Sequence, residues 1–377
     1  MKTFKRLVKT FEEENNFNNI IVPLTVDVEE VVFVYHHNVD RNKIKNCTTV
    51  IKKYKNIKLS YHMVDENEVN DMIDEETIID ISAAKYLSIV LYEVALKNNL
   101  DIIYYDEHER VIKRYKDHKV IYRNIFKLTI EDIVKSGGGV IESEMHKPVE
   151  DRESIELIYN AVETASSQYS GFISYVSRIN SYISDYDHSG NTFYLKNETI
   201  VKIVSDDQYK KYINLKLFEI EDNKLIFANE EIRKVFMVSG EFLENYIYHK
   251  LLDSNIFDDV KMSVSIEFND EQWKYPVKCE IDCIVLKDNN LLFTSIKSNK
   301  VDTADLNEIK VHNVMFGNNQ SKPVICINND LSSKRPSVYA KAEELGVYVI
   351  DEDTFVENDI SKQFLSIIDD TYQYEEL

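Results

Sequence analysis

The chain has 377 residues, 44% of them hydrophobic and 29% charged, with a formal net charge of −21. That length exceeds one ordinary hydrophobic core and predicts two or three domains. Such acidity excludes a general nucleic-acid coat protein, which needs a basic surface to displace counterions from phosphates, but admits an enzyme whose nucleic-acid contact is local or metal-assisted.

The N-terminal stretch MKTFKRLVKTFEEENN interrupts any apolar run with charges, and no segment approaches the roughly 18 apolar residues of a membrane span. The expectation is a cytoplasmic protein with no membrane partner. Cys47, Cys279, Cys283 and Cys326 form no CxxC pair and no zinc spacing with histidine, and read as reduced thiols.

In chain order, the first third alternates strand and helix patterns, which predicts an α/β layer with a largely parallel sheet. EEVVFVYHH (29–37) is a β-branched run ending in polar residues. TIIDIS (77–82) is a second strand, followed by the helical period AAKYLSIVLYEVALKNN and then by DIIYYD (101–106). Glu107, His108 and Glu109 turn the chain into VIKRYK, a predicted hairpin. Its basic run KRYKDHK (113–119) reads as a solvated face, with a patch for an anionic ligand as the alternative. Thr129 and Asp132 form a capping-box pattern that opens a short helix, and Gly137, Gly138 and Gly139 close it. No Lys-Ser or Lys-Thr follows the glycines, so they mark a helix stop and a domain edge rather than a phosphate-binding loop.

From 146 to 235 the pattern is helical and then mixed. IELIYNAVETASSQYSGFISYVSRI is its clearest amphipathic stretch, and KLFEIEDNKLIFA (216–228) is a strand pair turning at Asp222 and Asn223. This predicts a connector with helices or a small winged subdomain. The remainder, 236–377, reads as helix, three strands, helix, strand, helix, strand, and carries 13 Lys+Arg against 26 Asp+Glu.

Chemistry concentrates in CEIDCIVLKDNNLLFTSIKSNK (279–300). Alternation puts Cys279, Ile281, Cys283 and Val285 on one predicted face and Glu280 and Asp282 on the other. On the next strand Ser295 and Lys297 project together, beside Asp282 across the ladder. Upstream, GEFLENYIYHKLL is a helix with Glu244 placed to reach the same strand ends. Metal-dependent phosphodiester hydrolysis needs hard oxygen donors that hold Mg²⁺ or Mn²⁺ against the phosphate, and an ammonium that positions water. Glu244, Asp282 and Lys297 supply three of four parts; the fourth, a carboxylate two residues before the lysine, is replaced by Ser295. The bland alternative for an outward Asp and Lys is a solvated sheet face. His249, next to Tyr248 on the Glu244 helix, reads as a packing or solvent-facing side chain.

GEFLENYIYHKL, CEIDCIVLKDNNLLFTSIKSNK and ELGVYVIDEDTF resemble the nuclease half of CRISPR-associated proteins that join a CARF sensor to a restriction-endonuclease-like PD-(D/E)xK domain. In those relatives the helix reads G-x-W/F-L-E and the two strands read E-x-D and E-C-K. This chain has Gly240, Phe242, Leu243 and Glu244; Glu280 and Asp282; and Ser295, Ile296 and Lys297. DISAAKYLSIVLYEV is similar to the strand-turn-helix of a CARF domain, whose usual turn is Thr-Gly-Gly. Here Ala83 and Ala84 replace the glycines, while Ser82, Lys85 and the N–H groups opening the helix still form an anion site. His36 and His37, at the carboxyl edge of their strand, are further candidates for effector contact.

The resemblance implies an α/β chain with a Rossmann-like CARF sensor (1–145), a helical or winged connector (146–235), and a restriction-endonuclease-like nuclease domain with a mixed sheet flanked by helices (236–377). It also implies a homodimer that binds cyclic oligoadenylate and then degrades single-stranded DNA or RNA, or nicks duplex DNA, with Mn²⁺ or Mg²⁺. Some restriction enzymes with Ser-x-Lys draw the acid from the following helix, here TADLNEIKVHNVMF. Glu308, eleven residues past Lys297, or Asp305 is expected in that role. The expected catalytic set is then Glu244, Asp282, Ser295, Lys297 and Glu308, with metal on Glu244, Asp282 and Glu308. The competing expectation is a relative that has lost cleavage and serves as a nucleotide-signal-binding or interaction protein.

Overall fold

The structure, a computed structural model, describes residues 4–13, 15–35, 39–83, 85–144, 146–165, 169–183, 188–238, 240–268, 276–298, 300–317, 321–328, 330–351 and 359–370. Its first sheet is built around β1 (Arg6–Thr10), which pairs in parallel with β2 (Glu30–Tyr35) on one side. β3 (Lys58–Met63) lies outside β2, and β4 (Thr77–Asp80) and β5 (Asp101–Asp106) extend the other side in parallel. β6 (Val111–Arg114) and β7 (Val120–Tyr122) complete it as an antiparallel edge, giving the order β3-β2-β1-β4-β5-β6-β7. α1 (Asn16–Thr25) and α2 (Arg41–Tyr54) cover one face, α3 (Tyr86–Lys97) the other, and α4 (Ile130–Ser136) returns to the first. The strand order reverses between β1 and β4, so the crevice at their carboxyl ends is where such sheets bind ligands.

The glycine run closes α4 as expected, and Gly138 takes φ 101°, a conformation open to glycine and strained for other residues. The domain edge expected near 145 is not where the chain changes sheets. β8 (Gly139–Glu144) already pairs with the C-terminal sheet, and a Cβ on Gly139 would lie 2.7 Å from both Ile266 and Val134. Val134 and Ile266 share a hydrophobic cluster that also contains Ile21 and Val50 of the first sheet's helices, so the two sheets are joined through one core.

The long amphipathic stretch of the connector forms two helices, α5 (Arg152–Ala165) and α6 (Tyr169–Ile183). β9 (His188–Ser189), β10 (Thr192–Tyr194), β11 (Phe218–Glu221) and β12 (Lys224–Phe227) make a four-stranded antiparallel sheet where sequence predicted one strand pair. α7 (Asn197–Ser205), α8 (Tyr209–Tyr212) and α9 (Glu230–Met237) complete the unit.

The last part opens with α10 (Glu241–Asp253), followed by the antiparallel meander β13 (Asp259–Phe268), β14 (Val277–Lys287) and β15 (Asn290–Lys297). α11 (Thr303–Phe316) leads to β16 (Lys322–Ile327), which is parallel to β15. α12 (Leu331–Lys334) and α13 (Pro336–Leu345) lead to β17 (Tyr348–Ile350), and α14 (Ile360–Asp369) follows. The result is a mixed sheet with α10 on one face and α11 on the other, the latter packed among Phe293 and Ile325 through Leu306 and Ile309. Among the described residues no helix is long and apolar enough to cross a membrane.

Candidate active site

β14 and β15 pair continuously from Lys287↔Asn290 to Cys283↔Thr294, where the ladder stops. At the next rung a side chain takes over: Asp282 Oδ2 accepts the Ile296 N–H at 2.6 Å and the Ser295 hydroxyl at 3.4 Å. On the other neighbour, β13, the rung at Ser263 is skipped and Ser263 has φ 50°. Such irregularities re-aim side chains beside active sites. They also overturn the expectation that Cys279, Ile281, Cys283 and Val285 share one face. Cys279 and Ile281 join the cluster around α11, whereas Cys283 and Val285 join the cluster around α10.

Lys297 Nζ lies 3.6 Å from Asp305 Oδ1 in the first turn of α11, and Asp305 also completes a capping box with Asp302. The ion pair docks the start of the helix on the end of β15. Between them is a polar cavity of about 150 Å³, walled by Glu280, Asp282, Ser295, Lys297, Glu308 and His312. Glu308 therefore shares a cavity with Asp282, whereas Asp305 is engaged with Lys297. His312 is the residue that sequence reasoning missed. It stands one helical turn from Glu308 on the same face, and that four-residue spacing was legible in TADLNEIKVHNVMF.

Glu244, in the first turn of α10, is not part of that cavity wall, but its charge is felt there. Burial, then the charges of Asp282, Glu241 and Glu280, push its carboxyl up to about 8, with Lys297 opposing. Asp282 is also held above the usual carboxylate range, chiefly by burial and against the Ile296 N–H and the Lys297 charge. Gly240 leaves Glu244 room, since a Cβ there would stand 3.1 Å from its Oε1. With its carboxyl raised, Glu244 holds its proton in the metal-free native protein over a range, about pH 4.5 to 8, in which the unfolded chain has released it. The contribution of Glu244 to stability is expected to fall as pH rises through that window. Denaturant titrations at several pH values should show a flatter dependence for Glu244→Gln.

Among the described residues no three His, Cys, Asp or Glu side chains are gathered into a ready metal cage. The electrostatics nevertheless fit a divalent cation. Both carboxyls are raised chiefly by burial, Glu244 further by the charge of Asp282 and Asp282 by that of Glu280, and the Lys297 ammonium that offsets them is shared with Asp305. Oxygen donors with uncompensated negative charge suit a hard ion, whose binding would return both groups to the ionised form.

The sensor-side candidates lie at the β1/β4 switch point. Asp80 ends β4 with 0% exposure and is paired at 2.7 Å with Lys9 of β1, itself 1% exposed. Lys9 also donates to the Asn18 carbonyl at 2.5 Å. Asp80 in turn accepts from the Ser82 N–H at 2.9 Å and from the Ser82 hydroxyl, whose oxygen accepts the Tyr105 N–H at 2.8 Å. Ser82 is thus turned inward as a brace. Ala83 and Lys85 line an adjoining groove of about 590 Å³ with Tyr86, Tyr92 and Tyr115. Ala84, His36 and His37 lie outside the described residues. The basic run is charge-paired, with Lys113 held by Asp106 and Glu109 and Arg114 beside Asp117, which favours the bland reading. His249 is buried against Tyr248 on α10, a packing residue as expected.

A doubly wound sheet joined through a connector to a six-stranded mixed sheet with helices on both faces defines the fold. Residues 230–353, which hold α10, β14, β15 and α11, match the family described as Card1-like, endonuclease domain. Nearly the whole chain has the fold of the protein VC1899 from Vibrio cholerae, with a TM-score of 0.76 at 15% identity, covering 96% of this chain and 98% of that one. Can2 from Sulfobacillus thermosulfidooxidans, solved in complex with cyclic tetra-adenylate, has a TM-score of 0.71 at 13% identity, covering 97% and 98%. No match was found among curated proteins.

Proposed function

We propose that this protein is a metal-dependent endonuclease of type III CRISPR antiviral defence, switched on by a cyclic oligoadenylate. The observation that carries the proposal is the fork at Asp282, which faces Lys297 and Glu308 across one polar cavity inside a segment matching an endonuclease domain family. The likeness of fold to Can2, solved with cyclic tetra-adenylate, supports the effector class, and the β1/β4 crevice, braced by Ser82 and lined by Ala83 and Lys85, is its candidate site. In this proposal the protein is a cytoplasmic homodimer acting on single-stranded DNA or RNA and on duplex DNA.

Asp282, Glu244 and Glu308 would hold Mn²⁺ or Mg²⁺, which supplies Lewis acidity to the scissile phosphate when bound. The chain's own groups do the rest. Ser295 and the Ile296 N–H fix the Asp282 carboxylate by occupying one of its oxygens, so that the other would be the one to meet the ion. Lys297, steered by Asp305, orients the attacking water and steadies charge on the phosphate.

A second reading, a signal-binding protein without cleavage, is favoured by Ser295 at the position of a metal carboxylate. Purified protein incubated with single-stranded DNA, single-stranded RNA and supercoiled plasmid, with Mn²⁺ and each ring size of cyclic oligoadenylate, separates the two. The endonuclease reading predicts cleavage that requires both metal and one ring size. Effector binding by calorimetry with no cleavage under any condition would leave the second reading.

A further inference from the structure

We infer that His312 donates directly to the divalent ion of this site, so that α11 supplies an imidazole together with Glu308 where β15 supplies only Ser295. The inference rests on the metal-dependent reading above. Ser295 cannot stand in for the absent acid, because its hydroxyl is neutral and is directed to Asp282. Any replacement must come from another wall of the cavity, and α11 forms that wall.

The helix is well fixed for such a task. Its start is capped by Asp302 and tied to β15 through Asp305 and Lys297. Leu306 and Ile309 sink into the core, and Asn313 donates to the Ser321 carbonyl at 3.3 Å. One turn apart, Glu308 at the exposed margin of the helix and His312 within its buried stripe both line the cavity. His312 is only 7% exposed, and among the described residues neither ring nitrogen has a hydrogen-bond partner. Its imidazole borders the cavity that Glu280, Asp282 and Glu308 also line, so a ring nitrogen is open to an ion held there. A cation held by those carboxylates would meet the free lone pair of the neutral ring. Nitrogen among oxygen donors also predicts a bias toward transition ions, with Mn²⁺ held more tightly than Mg²⁺.

Pulsed electron paramagnetic resonance of the Mn²⁺-loaded full-length protein tests this through the coupling of a bound ¹⁴N nucleus. The wild type is expected to show directly coordinated nitrogen. His312→Gln should lose that coupling and bind Mn²⁺ about tenfold or more weakly, and adding Ser295→Glu should restore affinity without the nitrogen signal. Mn²⁺ bound in the wild type without coupled nitrogen, or coupling that survives in His312→Gln, overturns the role of His312 and leaves the nuclease reading standing. Failure of the wild type to bind Mn²⁺ at all overturns both. The wild-type spectrum decides the matter even if the variants fold poorly.

Discussion

Asp282→Asn is expected to reduce nucleic-acid cleavage about a thousandfold, because a metal-held phosphate is worth several kcal/mol of transition-state stabilisation. The substitution keeps an oxygen to accept the Ile296 N–H, so the fork between β14 and β15 should survive. It removes the charge that burial disfavours, so the metal-free variant should be at least as stable as the wild type in alkaline solution. Lost activity with retained or improved stability is the signature of a functional carboxylate, and a parallel comparison of cleavage rates and urea midpoints reads both. A variant that cuts as fast as the wild type removes Asp282 from the chemistry.

Lys9→Met should carry the largest cost in stability, about 3–5 kcal/mol, because removing one partner of a buried ion pair strands the other. The stranded group is Asp80, fully enclosed at the end of β4, and the Asn18 carbonyl loses its donor as well. Chemical denaturation measures the loss, and the double variant Lys9→Met with Asp80→Asn should recover much of it. Since Asp80 holds Ser82 by two bonds, the same single variant should also disorder the turn beside the groove lined by Ala83 and Lys85. A Lys9→Met protein as stable as the wild type would mean that the pair is not buried as described.

The chemistry-bearing residues were legible because they recur at fixed offsets on regular elements. Ser295 and Lys297 follow from strand alternation, and the Thr129–Asp132 cap from its spacing. Other features were hidden for identifiable reasons. β1 escaped notice because RLVKT carries a lysine mid-strand, and only the fold shows that Lys9 is neutralised inside by Asp80. β8 was obscured by Gly139, which begins it and is read locally with Gly137 and Gly138 as the end of α4, although its small size serves close packing against Ile266 and Val134. The change of face at Asp282 depends on a skipped rung opposite Ser263, some 19 residues earlier, and alternation along one strand carries no trace of it. His312 was present at helical spacing from Glu308, but its wall-mates on β14 and β15 are set by tertiary packing.

Asp282 and Glu308 are expected to grip one ion, and crystals of the protein soaked in Mn²⁺ and measured at the manganese absorption edge examine that directly. The expected result is an anomalous peak in the cavity between β14, β15 and α11, within about 2.0–2.6 Å of oxygens from both residues. A peak that engages neither carboxylate, or no peak at a concentration that supports cleavage, would contradict it.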